Sequence, residues 1–260
     1  MLNFKEFQEY IKSNVKDYLP ENYKDADIQF TDVVKNNDVH LTGVLIKKEN
    51  ETLTPNIYIN ELYEKYSRGM NLDEIVGDIA DLRIEHDPPE EAQSIGSIFT
   101  NYEMVKQRLE IHLCDMELNR DKLKNQVYTE QGDFAATYHI KIGGDGMLRG
   151  SAAVTPNLLK GWGITEEQLR EDSLRAEHSK GAVFTDIEEL VAEKTFGLKS
   201  TNLLDKQNDV IDNEVGFSFY CLTSEEKRYG ASMILQEDVM GKVSKLMGGD
   251  FYILPSSIHE

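Results

Sequence analysis

The sequence predicts an α+β protein: a mostly antiparallel sheet with packed helices, preceded by a smaller α/β N-terminal part. Three observations carry this. Apolar residues alternate in pairs of segments joined by Asn/Asp- or Gly-rich turns, as in hairpins. Other segments repeat apolar residues at three- and four-residue steps, as in helices. Between the two groups stands Asp87-Pro88-Pro89-Glu90-Glu91, which neither continues a helix nor pairs in a sheet. The division expected is therefore 1–87 for the N-terminal part and 100–260 for the C-terminal part.

The elements follow in order. Asn3 and Glu6 have capping-box spacing, and Phe4, Phe7, Ile11, Val15 and Leu19 form a helical stripe that ends at Pro20. Ile28 to Val34 and Val39 to Ile46 flank Asn36-Asn37-Asp38, a turn of residues that tolerate positive φ, and predict a hairpin. Lys47 to Thr54 reads as a charged loop and Ile57-Tyr58-Ile59 as a brief strand. Asn60 is expected to cap a helix that Gly69 stops, and Leu72, Ile75, Val76, Ile79 and Leu82 make a further helical face.

In the C-terminal part, Leu109, Ile111 and Leu113 alternate as a strand over about 108–114, although Val105, Leu109 and Met116 also fit a helix. Phe134 to Ile142 alternates cleanly, turns through Gly143-Gly144-Asp145-Gly146 and returns over Met147 to Thr155. Thr165 and Asp186 are each placed to cap a helix, and Phe196 to Glu214 reads as a polar surface connection. Val215 to Leu222 and Tyr229 to Leu235 predict a second hairpin around Ser224 to Arg228. A helix through Val239, Val243, Leu246 and Met247 closes at Gly248-Gly249, and Phe251 to Leu254 reads as a last strand. The two hairpins, each followed by a helix, suggest an internal repeat of ββα units with Gly150 and Gly230 equivalent.

Composition narrows the function classes. Of 260 residues, 47 are acidic and 28 basic, a formal charge of -19 that repels nucleic acid and anionic lipid, so neither is expected as a partner. No membrane-spanning run and no basic, apolar leader stands at Met1 to Glu6, so the expected location is cytoplasmic. Cys114 and Cys221 lack metal or redox spacing and read as thiols in a reducing compartment. The six histidines share no ligand spacing on one element, so no metal and no cofactor is called; His139 reads as a surface or hydrogen-bonded sheet histidine. The Gly143 to Gly150 loop fits neither phosphate fingerprint and reads as a turn.

The candidate binding residues are Trp162, ahead of a capped helix, and Ser256, Ser257, His259 and Glu260, which bring hydroxyl, imidazole and carboxylate past a strand end. Neighbours in an extended chain point to opposite faces, so no catalytic residue is assigned. The chain resembles a family of uncharacterised bacterial proteins, domain of unknown function 5688, through Ile57 to Tyr63, Trp162 to Glu167, Tyr229 to Met233 and above all Phe251 to Glu260. Gly161 to Leu169 and the last strand are also distantly similar to the YtpQ-type uncharacterised family. Neither resemblance implies an activity. The family pattern runs on into a further apolar stretch where this sequence stops at Glu260, which implies a shortened chain or a variant without a final strand. The function expected is that of a non-catalytic cytosolic binding or regulatory protein with a protein partner. The alternatives are a small-molecule hydrolase using Ser256 to Glu260 and an acidic DNA mimic.

Overall fold

A computed structural model describes residues 1–88, 94–142, 150–205, 210–211 and 218–254. The α+β class holds. Two compact units form, one within Met1–Asn101 and the other from Tyr102–Ile142 with the described residues of Gly150–Glu260.

In the first unit, helix α1 (Phe4–Asn14) begins with a complete capping box: Asn3 Oδ1 accepts from Glu6 N–H, and the Glu6 carboxylate accepts from Asn3 N–H. Strands β1 (Asp27–Val34) and β2 (His40–Lys47) pair antiparallel, and β3 (Asn56–Tyr58) adds to β2. Their turn holds Asn37 and Asp38 at positive φ, where these short polar side chains are tolerated. Helix α2 (Asn60–Ser67) corrects one expectation, because Asn60 does not cap it; its Oδ1 is taken by Thr42 N–H of β2 at 2.7 Å. Helix α3 (Leu72–Glu85) lays Ile75, Val76 and Ile79 against Phe7, Ile11, Val44 and Ile46 in one buried cluster.

Arg83, near the end of α3, is fully buried. Its Nε donates to Ile46 carbonyl at 2.9 Å, Nη2 to Glu51 Oε1 at 2.5 Å and Nη1 to Asp87 Oδ1 at 3.0 Å. Each direction of the guanidinium fork is thus occupied, which is what lets a cation stay inside. The loop read as merely charged supplies the anion, and Glu51 Oε2 in turn accepts from Lys48 N–H and Thr54 Oγ1.

The second unit opens with the short helix α4 (Tyr102–Val105) and strand β4 (Leu109–Asp115), so the strand reading wins over the helical one. After the short helix α5 (Arg120–Leu123) come β5 (Tyr128–Gln131), β6 (Phe134–Ile142) and β7 (Gly150–Ala153). Central β6 pairs antiparallel with β4 on one side and with β5 and β7 on the other. Helices α6 (Pro156–Trp162) and α7 (Glu166–Ser179) follow, the latter capped by Thr165 Oγ1, which accepts from Gln168 N–H.

Strand β8 (Ala182–Asp186) leads into helix α8 (Ile187–Phe196), capped by Asp186. The partner of β8 is β9 (Tyr220–Ser224), and this overturns the second hairpin. Residues Gly230–Leu235 form a 3-10 helix, not a return strand, so the expected ββα repeat is not found among the described residues. The cause is local. Tyr229 takes a left-handed conformation that redirects the chain, and Gly230 then packs so closely on β9 that a Cβ there would lie 2.5 Å from Thr223 Cα. Helix α9 (Glu237–Met247) ends at Gly248, at φ +65, as its sequence predicts.

Two further readings change. Leu203, in the supposed polar connection, is buried with Phe184, Val239, Val243 and Leu246. Phe251 to Leu254 pairs with no strand; Phe251 packs on that cluster, while Tyr252 is 96% exposed. Cys114 is buried and Cys221 partly so, and no disulfide joins them.

Candidate functional site

The alternation of β4 puts Leu109, Ile111 and Leu113 on one face and Glu110, His112 and Cys114 on the other. Pairing with β6 sets His139 opposite Glu110 and Thr137 opposite His112, so that strand register alone assembles a polar face. Across it the two imidazole rings stack, with centroids 3.9 Å apart and 17° between planes. The Tyr229 ring covers His112 in a second stack, 3.9 Å and 16°. Near Tyr229 stands the Arg228 guanidinium, 5.4 Å from the ring centroid, a cation–π contact. Lys141 of β6 binds Glu226 of the same turn at 2.8 Å and 3.0 Å, so the turn is tied down at two points.

Charge is concentrated beneath. Glu177 of α7 is fully buried and accepts from Ile111 N–H, Lys180 Nζ and Ser232 Oγ, each at 2.8 Å. Lys180 Nζ also stands 3.7 Å from Glu110 Oε1. Glu110 Oε2 and His112 Nε2, in side chains only 4% and 10% exposed, lie 3.6 Å apart. That exceeds hydrogen-bond distance, and neither atom has a hydrogen-bond partner. Burial pushes the Glu110 carboxyl up, but the neighbouring His112 and the Lys180 ammonium outweigh it and hold the group below its ordinary range. His139 is pushed well below the usual imidazole value by burial, with the nearby His112 and Lys122 adding to it. Its Nε2 is 3.1 Å from Thr137 Oγ1 and its Nδ1 3.4 Å from Ser151 Oγ.

Of the residues singled out from the sequence, Trp162 ends α6 and packs its ring 5.5 Å from that of Tyr102, whose hydroxyl donates to Asp172 Oδ2 at 2.9 Å. Ser256, Ser257, His259 and Glu260 lie outside the described residues. Sequence reasoning passed over Glu110, His112 and Glu177. The legible signal was Glu110-Ile111-His112, two titratable groups on the same face of a strand whose other face is apolar. Among the described residues no three His, Cys, Asp or Glu side chains converge as metal ligands, and no helix is long and apolar enough to cross a membrane.

Unit 2 has a second unusual surface. On α8 Leu190 is buried, yet Ile187 and Val191, one turn apart on the flank next to it, are 38% and 56% exposed. Phe196 and Leu198 are exposed at the end of the helix. So is Phe219, whose carbonyl accepts from Ile187 N–H at its start.

Fold and site together define an α+β protein with a covered polar face and a helix that exposes apolar side chains. The family of unknown function DUF5688 matches residues 4–260, and the chain belongs to that family. Neither the curated proteins nor the solved structures include a match to this chain. The distant likeness to the YtpQ-type family has no counterpart in these comparisons.

Proposed function

We propose that the protein is a non-catalytic cytosolic binding protein that engages a partner protein through the outer side of α8. The observation that carries this reading is the exposure of Ile187 and Val191 beside the buried Leu190 of the same helix, with Phe219 exposed at its start. A surface helix ordinarily keeps its apolar residues within the stripe that faces the core; a stripe that runs on from buried Leu190 to exposed Ile187 and Val191 fits a flank covered by another surface. The charge of -19 disfavours nucleic acid and anionic lipid as what covers it, and two cysteines that form no disulfide suit a reducing compartment. The hydrolase reading rests on Ser256 to Glu260, which are outside the described residues, and gains nothing from α8.

The test is affinity capture from cell extract with the wild-type chain and with Ile187→Asp/Val191→Asp. Both positions are exposed, so the double variant should keep its fold to within about 0.5 kcal/mol per site. A stoichiometric partner held by the wild type and lost by the variant is the expected result. Equal capture by both would overturn the reading, and release of the partner by added DNA would favour the acidic mimic.

A further inference from the structure

The polar face of β4 and β6 is closed by a side chain in an unusual conformation. Tyr229 sits at φ 47 and ψ 38, in the left-handed region that costs a non-glycine residue energy, and Lys227, two residues earlier, is at φ 55. What the strain achieves is visible: the phenol ring is laid flat on His112, with Arg228 beside it. Beneath the cover are two buried polar atoms, Glu110 Oε2 and His112 Nε2, that the protein leaves without hydrogen bonds. At 3.6 Å the two groups attract without a hydrogen bond, so Glu110 Oε2 can still accept from a closer donor, and the ring, which offers only its apolar face to the stack, supplies none.

We propose that Tyr229 occupies, in place of a ligand, a stacking slot for a planar nitrogen heterocycle that carries N–H donors on its edge. A ring taking the place of the phenol would lie on the His112 imidazole. Glu110 Oε2 is 3.6 Å from the rim of that imidazole at Nε2, so a stacked ring broad enough to overhang this rim would turn its edge donors toward the carboxylate. Adjacent N–H groups, as on the Watson–Crick edge of guanine, match the two oxygens of a carboxylate. Arg228 would then meet the ligand by the cation–π contact it now makes with Tyr229. Stacking supplies affinity for any flat ring; the buried carboxylate selects those that donate.

Guanosine is the probe. In the wild-type protein, guanosine in excess should shift the ring resonances of Tyr229 and His112 in NMR spectra. Tyr229→Gly removes the ring and suits the left-handed backbone, and should bind guanosine about tenfold more tightly than wild type by calorimetry. Tyr229→Asn, also tolerant of that conformation, should behave alike. Adding Glu110→Gln to Tyr229→Gly should remove at least that gain. Binding no tighter than wild type in both Tyr229 variants, or no loss with Glu110→Gln, would overturn the proposal. So would unfolding of both Tyr229 variants, since a displaceable cover is not what a core rests on.

Discussion

Arg83 and Glu51 form an ion pair from which water is excluded, with side chains 0% and 2% exposed and Nη2 2.5 Å from Oε1. The pair ties the last turn of α3 to the loop after β2. Removing one partner leaves the other charge buried alone. Arg83→Met should therefore cost about 3–5 kcal/mol in urea unfolding. Combining it with Glu51→Gln, which keeps an acceptor for Lys48 N–H and Thr54, should recover about 1 kcal/mol or more. A double variant no more stable than the single one would mean that the loss comes from the Ile46 carbonyl and packing on Tyr23, not from the stranded carboxylate.

His139 predicts an acid-side loss of stability. Its folded pKa lies well below the ordinary 6.5, so the unfolded chain binds the proton more tightly. Its contribution is fully present above the unfolded value and declines as pH falls below about 6.5. Glu110, also depressed, contributes above the carboxylate range and loses its share only at lower pH. Denaturation midpoints compared at pH 7.5 and 5.5 should drop for the wild type and drop less for His139→Gln. An equal drop in both would place the titration elsewhere.

Gly230 is required by its contact and not by its φ. A methyl group there would stand 2.5 Å from the Thr223 Cα and 2.7 Å from its Cβ, and backbone cannot swing aside as a side-chain tip can. Gly230→Ala should cost about 1–3 kcal/mol, the range for forced overpacking. Gly161→Ala, with nothing within 4 Å of the added carbon, is the control and should leave thermal stability nearly unchanged.

Local pattern was enough for α1, α3, α7 and α9: apolar stripes marked α1, α3 and α9, capping residues marked the start of α1 and α7, and Gly248 marked the end of α9. It failed where long-range contacts decide. Arg83 looks like a routine basic residue near a helix end until Glu51 arrives from a loop 32 residues away. Ala231, Met233 and Leu235 alternate as a strand would, yet Gly230 and Met233 are buried at the three-residue step of a 3-10 helix. Histidines in β4 and β6 were assigned to strands from the sequence, but only the register of Leu109 with Ile140 brings their rings face to face. The last apolar run, read as a strand, finds no edge to join.

β4 lies at the rim of its sheet, where unpaired N–H and carbonyl groups would ordinarily invite another chain to add a strand. Glu177 takes the Ile111 N–H, and the 3-10 helix that holds Ser232 is bonded to the same carboxylate. An acidic side chain thereby stands where a visiting carbonyl would have to dock. Helix α7 and the 3-10 helix thus cover that margin, with Glu177 as the group that occupies a ladder position of the next strand.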